Sequence, residues 1–523
     1  MLARHPWAVP PGYRTTPPRF NIATEIVDRR VAQGAGDIAL RDARGALSFA
    51  ELADLVARCA GGLQSLGVER GTPFLVRSPN CREAYITFLA GVKLGAVPIL
   101  ANSLLGAREL GHVVDNGEPA LAVVHAEAAA AVAETQRAGY RFRRVISIGD
   151  DIPGAIAFDG LLSAAKPAET ADTGRDDPAF INYTSGTTGV PKGIVQAHRW
   201  VVANGDLARL HMPLTSADTV LNTSEFSFGW GLGHGFLWPL RNGGSVAILG
   251  ARPTAERLLA AIETFGVTIV ATVPTMIRAI LAVPDIEKRH RVASLRMAYA
   301  AGEPLAAPTY REWCRRFPCD LYDAYGASEF QVIVANGPGM PVKPGSMGRP
   351  HPGVPLRVLD GALEECAPGE VGTLALKADD PALFLEYHKQ PDNWREAHRG
   401  GWYITGDMAY RDEDGYLWYV GRQDDLFKSR GYLIAPKEIE DAILEHPAVV
   451  EAAVVGQPDA DVGQRIAAFV VLAPGFVEHP PICEEIRATV RGLLAPYKTP
   501  HVVTVVESLP KSPVGKILRR ALR

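Results

Sequence analysis

YTSGTTGVPKG, Tyr183 to Gly193, holds two serine or threonine pairs, three glycines and one lysine in eleven residues. Glycine costs backbone entropy, so a loop this rich in glycine, hydroxyls and amides needs something acceptor-rich to hold, and a phosphate chain is the natural occupant. Ahead of it AFINY is a strand candidate, and behind it GIVQAHRWVVANGDLARLH carries a helical period. A loop between strand and helix offers backbone N–H groups and a helix N-terminus to phosphate oxygens. The P-loop pattern GxxxxGK[ST] is absent, because Gly189 stands three residues ahead of Lys192 and Gly193 follows that lysine. A dinucleotide fingerprint is absent as well. Read alone, the loop fits a phosphate cradle and an ordinary surface loop about equally.

Around the loop, helical patterns alternate with short β-branched runs. SFAELADLVARCAGGLQSLG is an amphipathic helix, PFLVRS a strand, EAYITFLAGVKLG a helix and VPIL a strand. This alternation predicts parallel sheets covered by helices. It recurs in SVAIL, TAERLLAAIETFG and VTIVATVP between Ser245 and Pro274, which predicts a second α/β lobe. From about Lys343 the texture turns to short strands and turns, as in GRPHPGVPLRVLD and GEVGTLAL, the pattern of a β-rich unit. IAPKEIEDAILEHP then reads as a helix opened by proline, AVVEAAVVG as a strand and EEIRATVRGLL as a helix. The fold class expected is α/β: a large N-terminal domain over 1–421, with two α/β lobes and a β-rich subdomain at about 341–421. A hinge at 422–425 and a small mobile α+β domain over 426–523 complete it.

At 523 residues the chain is too long for one ordinary core, and 47% hydrophobic with 21% charged residues is a globular composition. A formal charge of −4 provides no basic field, which disfavours nucleic acid as a partner. The six cysteines are scattered without a zinc or disulfide spacing, which fits a reducing cytoplasm. The N-terminus lacks the apolar core of a signal peptide, and the most apolar stretch, Ala84 to Ala101, is broken by Gly91, Lys93, Gly95 and Pro98, so no membrane span is expected.

Further words settle the loop. YTSGTTGVPKG resembles the phosphate loop of the adenylate-forming superfamily of acyl-CoA synthetases, luciferases and peptide-synthetase adenylation domains. AAGEPL (Ala300 to Leu305) resembles its adenine-binding segment, and YDAYGASE (Tyr322 to Glu329) its YGxTE motif with serine for threonine. YITGD (Tyr403 to Asp407) is similar to the ribose-binding motif, GRQDD and GYLIAPKEIE to the hinge and thioesterification segment, and PKSPVGK to the terminal lysine motif. Six motifs in family order are far more specific than any one.

The resemblance implies ATP, Mg²⁺ and coenzyme A as the bound small molecules, and an acid activated as acyl-AMP and passed to a thiol. Thr184, Ser185, Gly186, Thr187, Thr188, Gly189 and Lys192 would clasp the phosphates. Gly302, Glu303, Pro304, Asp323, Tyr325, Gly326 and Ser328 would surround the nucleotide. Glu329 would be the catalytic Mg²⁺ ligand, since a hard cation takes one or two carboxylates plus phosphates and water. Asp407 would accept the ribose hydroxyls, and Arg422 would contact ribose or phosphate. Lys516 would bridge the attacking carboxylate and the α-phosphate, Asp424 would be the pivot, and Gly431 would leave room for the pantetheine arm. Outside these motifs each residue has a plainer reading, as a turn-capping Asp, a solvated Glu or a terminal basic cluster.

LNTSEFSFGWGLGHGFLWPL (Leu221 to Leu240) lies where the family builds its acyl pocket. Glu225, Phe226, Trp230 and Gly231 are expected to line it with the small Ala301, Ala324 and Gly326, leaving room for a ring. Phe226, Phe228 and Trp230 could form a flat slot, although some of the three belong to the core. Together with RFNIA and VPILANSLL this segment resembles benzoate-CoA ligases and their 2-aminobenzoate relatives. One departure stands out: those ligases tend to carry lysine where this chain has Glu225, which would repel a carboxylate if it pointed inward. The reading is an ATP-dependent aryl-CoA ligase for a benzoate-like acid, plain or amino- or hydroxy-substituted. The alternatives are a medium-chain fatty acyl-CoA ligase and a stand-alone adenylation enzyme loading a carrier protein. Partners would be the acid, ATP and CoA, with room for a homodimer.

Overall fold

Two large sheets with helices between them and on their outer faces make up most of the chain. The computed structural model describes residues 7–34, 36–184, 191–430, 432–459, 462–476, 481–511 and 517–523. The first sheet orders its eight strands Glu386–Tyr387, Lys192–Ala197, Pro178–Thr184, Val97–Leu100, Pro73–Arg77, Ala122–His125, Val145–Ile148 and Ile156–Ala157. All pairs from Pro178–Thr184 outward to Ile156–Ala157 are parallel. The second sheet has nine strands, with a parallel centre running from Ile38–Asp42 through Ser245–Ala247, Thr219–Asn222, Ile269–Thr272 and Met297–Ala301 to Asp320–Ala327. Both of its edges are antiparallel. The N-terminal hairpin Ile38–Ser48 therefore closes an edge of a sheet built mainly from residues two hundred positions further on.

The helix Phe49–Ser65 shows how local sequence places these layers. Ser48 caps it: its hydroxyl accepts from the Glu51 N–H at 3.2 Å, and the Glu51 carboxylate accepts from the Ser48 N–H at 2.8 Å. Phe49, Leu52, Val56, Cys59, Ala60 and Leu63 then fall on one buried face. That face joins a single hydrophobic core containing Phe74 and Phe180 of the first sheet and Val220, Val246 and Ile269 of the second. Separate clusters cover the outer faces, around Ile99 and Ile181 on one side and Leu258, Ile277 and Trp313 on the other.

A five-stranded antiparallel sheet follows, formed by Leu356–Leu359, Gly372–Lys377, Trp402–Arg411, His398–Arg399 and Leu417–Arg422. The chain then builds a smaller α+β domain with its own core. The strands Val449–Asp459, Gly463–Leu472 and Val502–Val505 pack there with the helices Pro436–Leu444 and Ile482–Leu493. No helix among the described residues is long and apolar enough to cross a membrane.

One local expectation is corrected. The residues after the glycine-rich loop do not open a helix: Lys192–Ala197 is a strand antiparallel to Pro178–Thr184, with Ile181 opposite Val195 and Thr184 opposite Lys192. The helix starts only at Trp200, and its Trp200, Val201, Ala203, Leu207 and Ala208 carried the helical period. β-branched Ile194 and Val195, flanked on both sides by strands, pair more favourably than they would coil. The loop thus joins two antiparallel strands, and no helix N-terminus stands behind it.

His198, fully buried, tests this packing. Its Nδ1 accepts from the Ile22 N–H at 3.2 Å and its Nε2 has no partner among the described residues. Burial pulls its pKa from 6.5 down to about 4, Arg70 adding to the fall and Asp177 opposing it. The neutral form is the one that folds, so this contribution is complete above pH 6.5 and is lost as pH falls from there through about 4. His198→Asn keeps an acceptor for Ile22 and cannot protonate. The unfolding free energy of the wild type should therefore fall relative to this variant by about 3 kcal/mol between pH 7 and pH 4. Urea denaturation at both pH values checks it, and an unchanged difference would mean that His198 does not titrate in the fold.

Candidate active site

The loops that follow the strands of the two sheets meet and bond to each other. After the strand Val97–Leu100, the Ser103 N–H and hydroxyl donate to the Glu225 carboxylate at 2.9 and 2.5 Å, and the Ser227 hydroxyl donates at 2.8 Å. Asn80 clamps the same loop, donating to the Ser224 carbonyl and accepting the Phe226 N–H, and Asn182 donates to the Ser227 carbonyl at 2.7 Å. The buried Arg77 guanidinium donates to the Asn102, Ser103 and Leu105 carbonyls. Burial brings its pKa down to about 10, against the opposing field of Glu225. Burial likewise raises the Glu225 carboxyl, with the serine donors and Arg77 holding it back. Both Glu225 oxygens are thus engaged by the protein.

Phe226 is 1% exposed and lies edge-on to Tyr85 at 5.5 Å, inside the main core, whereas Phe228 and Trp230 are half-buried. The Trp230 indole donates to the Thr272 carbonyl at 3.1 Å, and its ring lies 4.0 Å from that of His234. Gly231 is required here, since a Cβ would stand 2.2 Å from the Glu225 carbonyl oxygen. Behind Trp230 runs a chain of buried histidines that sequence reading missed: His234 Nε2 to His211 Nε2 at 2.9 Å, and His211 Nδ1 to His351 Nε2 at 3.1 Å. Burial holds His211 and His234 well below the usual imidazole range. Separations of 23 residues between His211 and His234 and of 140 between His211 and His351 hid them.

AAGEPL and YDAYGASE lie on neighbouring parallel strands, with Ala300 opposite Asp323 and Ala301 opposite Ala324. Gly302 turns the chain at φ +89°. Beside Pro304, the Glu303 carboxylate accepts the Thr275 hydroxyl at 2.9 Å and pairs with Arg278 at 3.2 Å. Asp323 is buried, and burial pushes its pKa up to about 8 despite the Leu305 and Ala324 N–H groups and the field of Lys437. At Gly326 a Cβ would strike the Gln331 carbonyl oxygen, and Gln331 itself has a left-handed backbone, φ +56°. The Ser328 carbonyl accepts from Gln196 at 2.7 Å.

Tyr325 reaches across to the β-rich sheet, donating to Asp407 Oδ2 at 2.7 Å, while Arg422 Nη1 lies 3.3 Å from Asp407 Oδ1. The strands Trp402–Arg411 and Leu417–Arg422 hold this pair in register, Asp407 opposite Arg422. Burial lowers Arg422, but Asp407 and the nearby tyrosines and Glu329 outweigh it, and the guanidinium stays charged. Glu329 is raised by burial, with Tyr387 and Arg422 opposing and Asp407 adding. Asp424 is exposed just beyond, its carbonyl accepting from Arg523 at 3.4 Å.

Thr184 and Lys192 face each other at the two ends of the glycine-rich loop. Ser185, Gly186, Thr187, Thr188 and Gly189, together with Gly431 and Lys516, lie outside the described residues. Another residue missed in the sequence is Tyr387, whose hydroxyl donates to Glu329 Oε1 at 3.0 Å. Only the pairing of Glu386–Tyr387 with the strand after the loop brings it there.

The chain resembles known proteins along nearly its whole length. Residues 27–388 match the AMP-binding enzyme family and residues 438–516 the AMP-binding enzyme C-terminal domain. The chain is 34% identical to an acyl-CoA ligase of Bacillus subtilis (strain 168), YtcI, covering 97% of this chain and 96% of that one. It is 32% identical to the benzoate-CoA ligase of Thauera aromatica, again over 97% and 96%. Its fold is similar to that of the anthranilate CoA ligase AuaEII in complex with anthranoyl-AMP, with a TM-score of 0.91, 30% identity and 97% of each chain covered. The chain belongs to the AMP-binding enzyme family, as an acyl-CoA ligase of the adenylate-forming type.

Glu225→Ala would leave the Ser103 N–H unpaired and remove the charge that opposes buried Arg77. It should lower the unfolding free energy by about 2–4 kcal/mol, read from the urea midpoint. A loss below about 0.5 kcal/mol would mean that the network does not brace the two lobes.

Proposed function

We propose that this member of the AMP-binding enzymes is an aryl-CoA ligase that activates a benzoate-like acid with ATP and transfers the acyl group to coenzyme A. In the first step the substrate carboxylate attacks the α-phosphorus of ATP and pyrophosphate leaves. In the second the CoA thiol attacks the acyl carbonyl and AMP leaves. Two anions must meet in the first step, so the protein's task is to position them and balance their charge. The observation that carries this reading is the gathering of Lys192, Glu329, Asp407 and Arg422 around Tyr325 and Tyr387.

In this reading Thr184 and Lys192 flank the β- and γ-phosphates, Asp407 accepts the ribose hydroxyls, and Asp323 lies at the adenine. Glu329 fits a divalent cation: it is an enclosed carboxylate, raised by burial and with Asp407 near it, and a cation would favour its ionised form. Mg²⁺ supplies charge neutralisation on the phosphates when bound. Lys516 would bridge the carboxylate and the α-phosphate, and movement of the C-terminal domain about Asp424 would bring Gly431 to the thiol path.

Three things support a ring acid. Two of the compared proteins are named for benzoate and anthranilate. Ala301, Ala324 and Gly326 carry little bulk where the acyl group would lie beside Trp230. Glu225, whose charge spoke against a carboxylate substrate, has its oxygens engaged by Ser103 and Ser227.

AMP release should require both the acid and CoA and be fastest on benzoate or an amino- or hydroxybenzoate, in a panel including phenylacetate, octanoate and acetate with products identified by mass. Preference for octanoate would overturn the aryl assignment, and adenylate accumulating without thioester would point to a carrier protein. Lys516→Ala should cut adenylate formation by about a hundredfold or more, a scale set by loss of a charge-stabilising group. It should spare thioester formation from supplied acyl-adenylate, and equal loss in both halves would refute that role. Gly431→Leu should show the reverse pattern, with pyrophosphate release retained.

A further inference from the structure

The segment Phe384–His388 is stitched between the phosphate loop and the YGASE turn. On one side Leu385 N–H donates to the Val195 carbonyl at 2.8 Å and His388 N–H to the Gly193 carbonyl at 2.7 Å, adding an antiparallel neighbour to the strand that begins at Lys192. On the other, Phe384 N–H donates to the carbonyl of Glu329 itself at 2.8 Å. Gly193 allows the approach, since a Cβ there would already crowd His388 and Tyr183 at 3.0–3.1 Å. One side chain of this segment touches both neighbours. The Tyr387 hydroxyl lies 3.0 Å from Glu329 Oε1, and the Lys192 ammonium stands 5.3 Å from the centre of the Tyr387 ring.

The direction of the hydrogen bonds follows from charge. An ionised carboxylate only accepts, so Tyr387 gives its one proton to Glu329. The Tyr403 hydroxyl, 3.0 Å from that of Tyr387, must then donate to it. The chain Tyr403 to Tyr387 to Glu329 is buried, with the two tyrosines 3% and 6% exposed, so neither phenol has water as a ready substitute. A hydrogen bond that ends on a charge in such surroundings fixes the acceptor's rotamer and favours its ionised form.

The geometry points to Tyr387 as a positioning residue: its hydroxyl orients Glu329 for the metal and its ring holds the Lys192 ammonium, so one side chain sets the spacing between the metal ligand and the phosphate clasp. This rests on the reading of Glu329 as the Mg²⁺ ligand and Lys192 as a phosphate contact. Tyr387 touches neither acid nor thiol in this scheme. Its loss should therefore weaken metal binding in the nucleotide complex and leave the second half-reaction intact.

The test uses the full chain and Mn²⁺ as the metal probe, its affinity measured by electron paramagnetic resonance in complex with α,β-methylene-ATP. Tyr387→Phe keeps the ring and removes the proton. It should weaken Mn²⁺ by about tenfold to a hundredfold, the scale of a hydrogen bond to a charged group, and raise the Mg²⁺ concentration needed for adenylate formation in step. Thioester formation from supplied acyl-adenylate and CoA should stay within about twofold, and the melting temperature within a few degrees. Tyr403→Phe, one bond further away, should show the same pattern more weakly. Glu329→Gln separates the two premises. If it leaves Mn²⁺ affinity unchanged, the metal reading itself falls. If it weakens Mn²⁺ while Tyr387→Phe behaves as wild type, the positioning role alone is overturned. A Tyr387→Phe protein that loses both half-reactions alike would also overturn it, as a merely structural residue.

Discussion

The Glu225 carboxylate, held by Ser103 and Ser227 between the two sheets, is the constraint on which the site depends. Ligands of open parallel sheets bind beyond the carboxyl ends of the strands. Here those ends belong to two sheets, and the loops after Val97–Leu100 and Thr219–Asn222 must stay in register with the strand Pro178–Thr184 for one crevice to form. The shared hydrophobic core sets the distance between the sheets but gives no direction, because apolar packing is non-directional. The directional part comes from polar groups: Asn80, Asn182 and Ser103 each satisfy a backbone or carboxylate partner in the facing loop, and Arg77 braces the loop that carries Ser103. A buried carboxylate left without those donors would be costly, so the network forms as a whole or not at all.

The same economy of charge shapes the cluster around Glu329 and Asp407. Glu329, Asp407 and Asp323 are acidic and withdrawn from water, and burial pushes the carboxyls of Glu329 and Asp323 upward. Arg422 and the phenols of Tyr325 and Tyr387 offset part of this, and acid remains in excess over base among these contacts. The antiparallel β-sheet supplies Asp407 and Arg422, the second parallel sheet Glu329 and Asp323, and the first parallel sheet Lys192. Three sheets thus each give one part of the charge pattern, and Tyr325 and Tyr387 are the bonds between them.

Much of this was legible in the chain. The helix Phe49–Ser65 announced itself through Ser48, Glu51 and its apolar stripe, and VPIL and PFLVR read as strands because a fully buried parallel strand is a continuous apolar run. The family was readable because the residues of each motif lie within a few positions of one another. The misreading at Lys192–Ala197 has a physical source. Its neighbour Glu386–Tyr387 lies about two hundred residues away, and pairing with it overrides a local helical period. Tyr387 and the chain His234, His211, His351 escaped for the same reason, since nothing near any of them in sequence marks its partner.

The sequence by itself determined the alternation of elements and the family, because periodicity and short motifs are written in neighbouring residues. Only the tertiary structure decided that the glycine-rich loop joins two antiparallel strands, that Glu225 is engaged by Ser103 and Ser227, and that Tyr387 stands between Lys192 and Glu329. Those are contacts between residues far apart in the chain. A buried polar group costs free energy unless it is hydrogen-bonded, and no local pattern can specify which groups will meet.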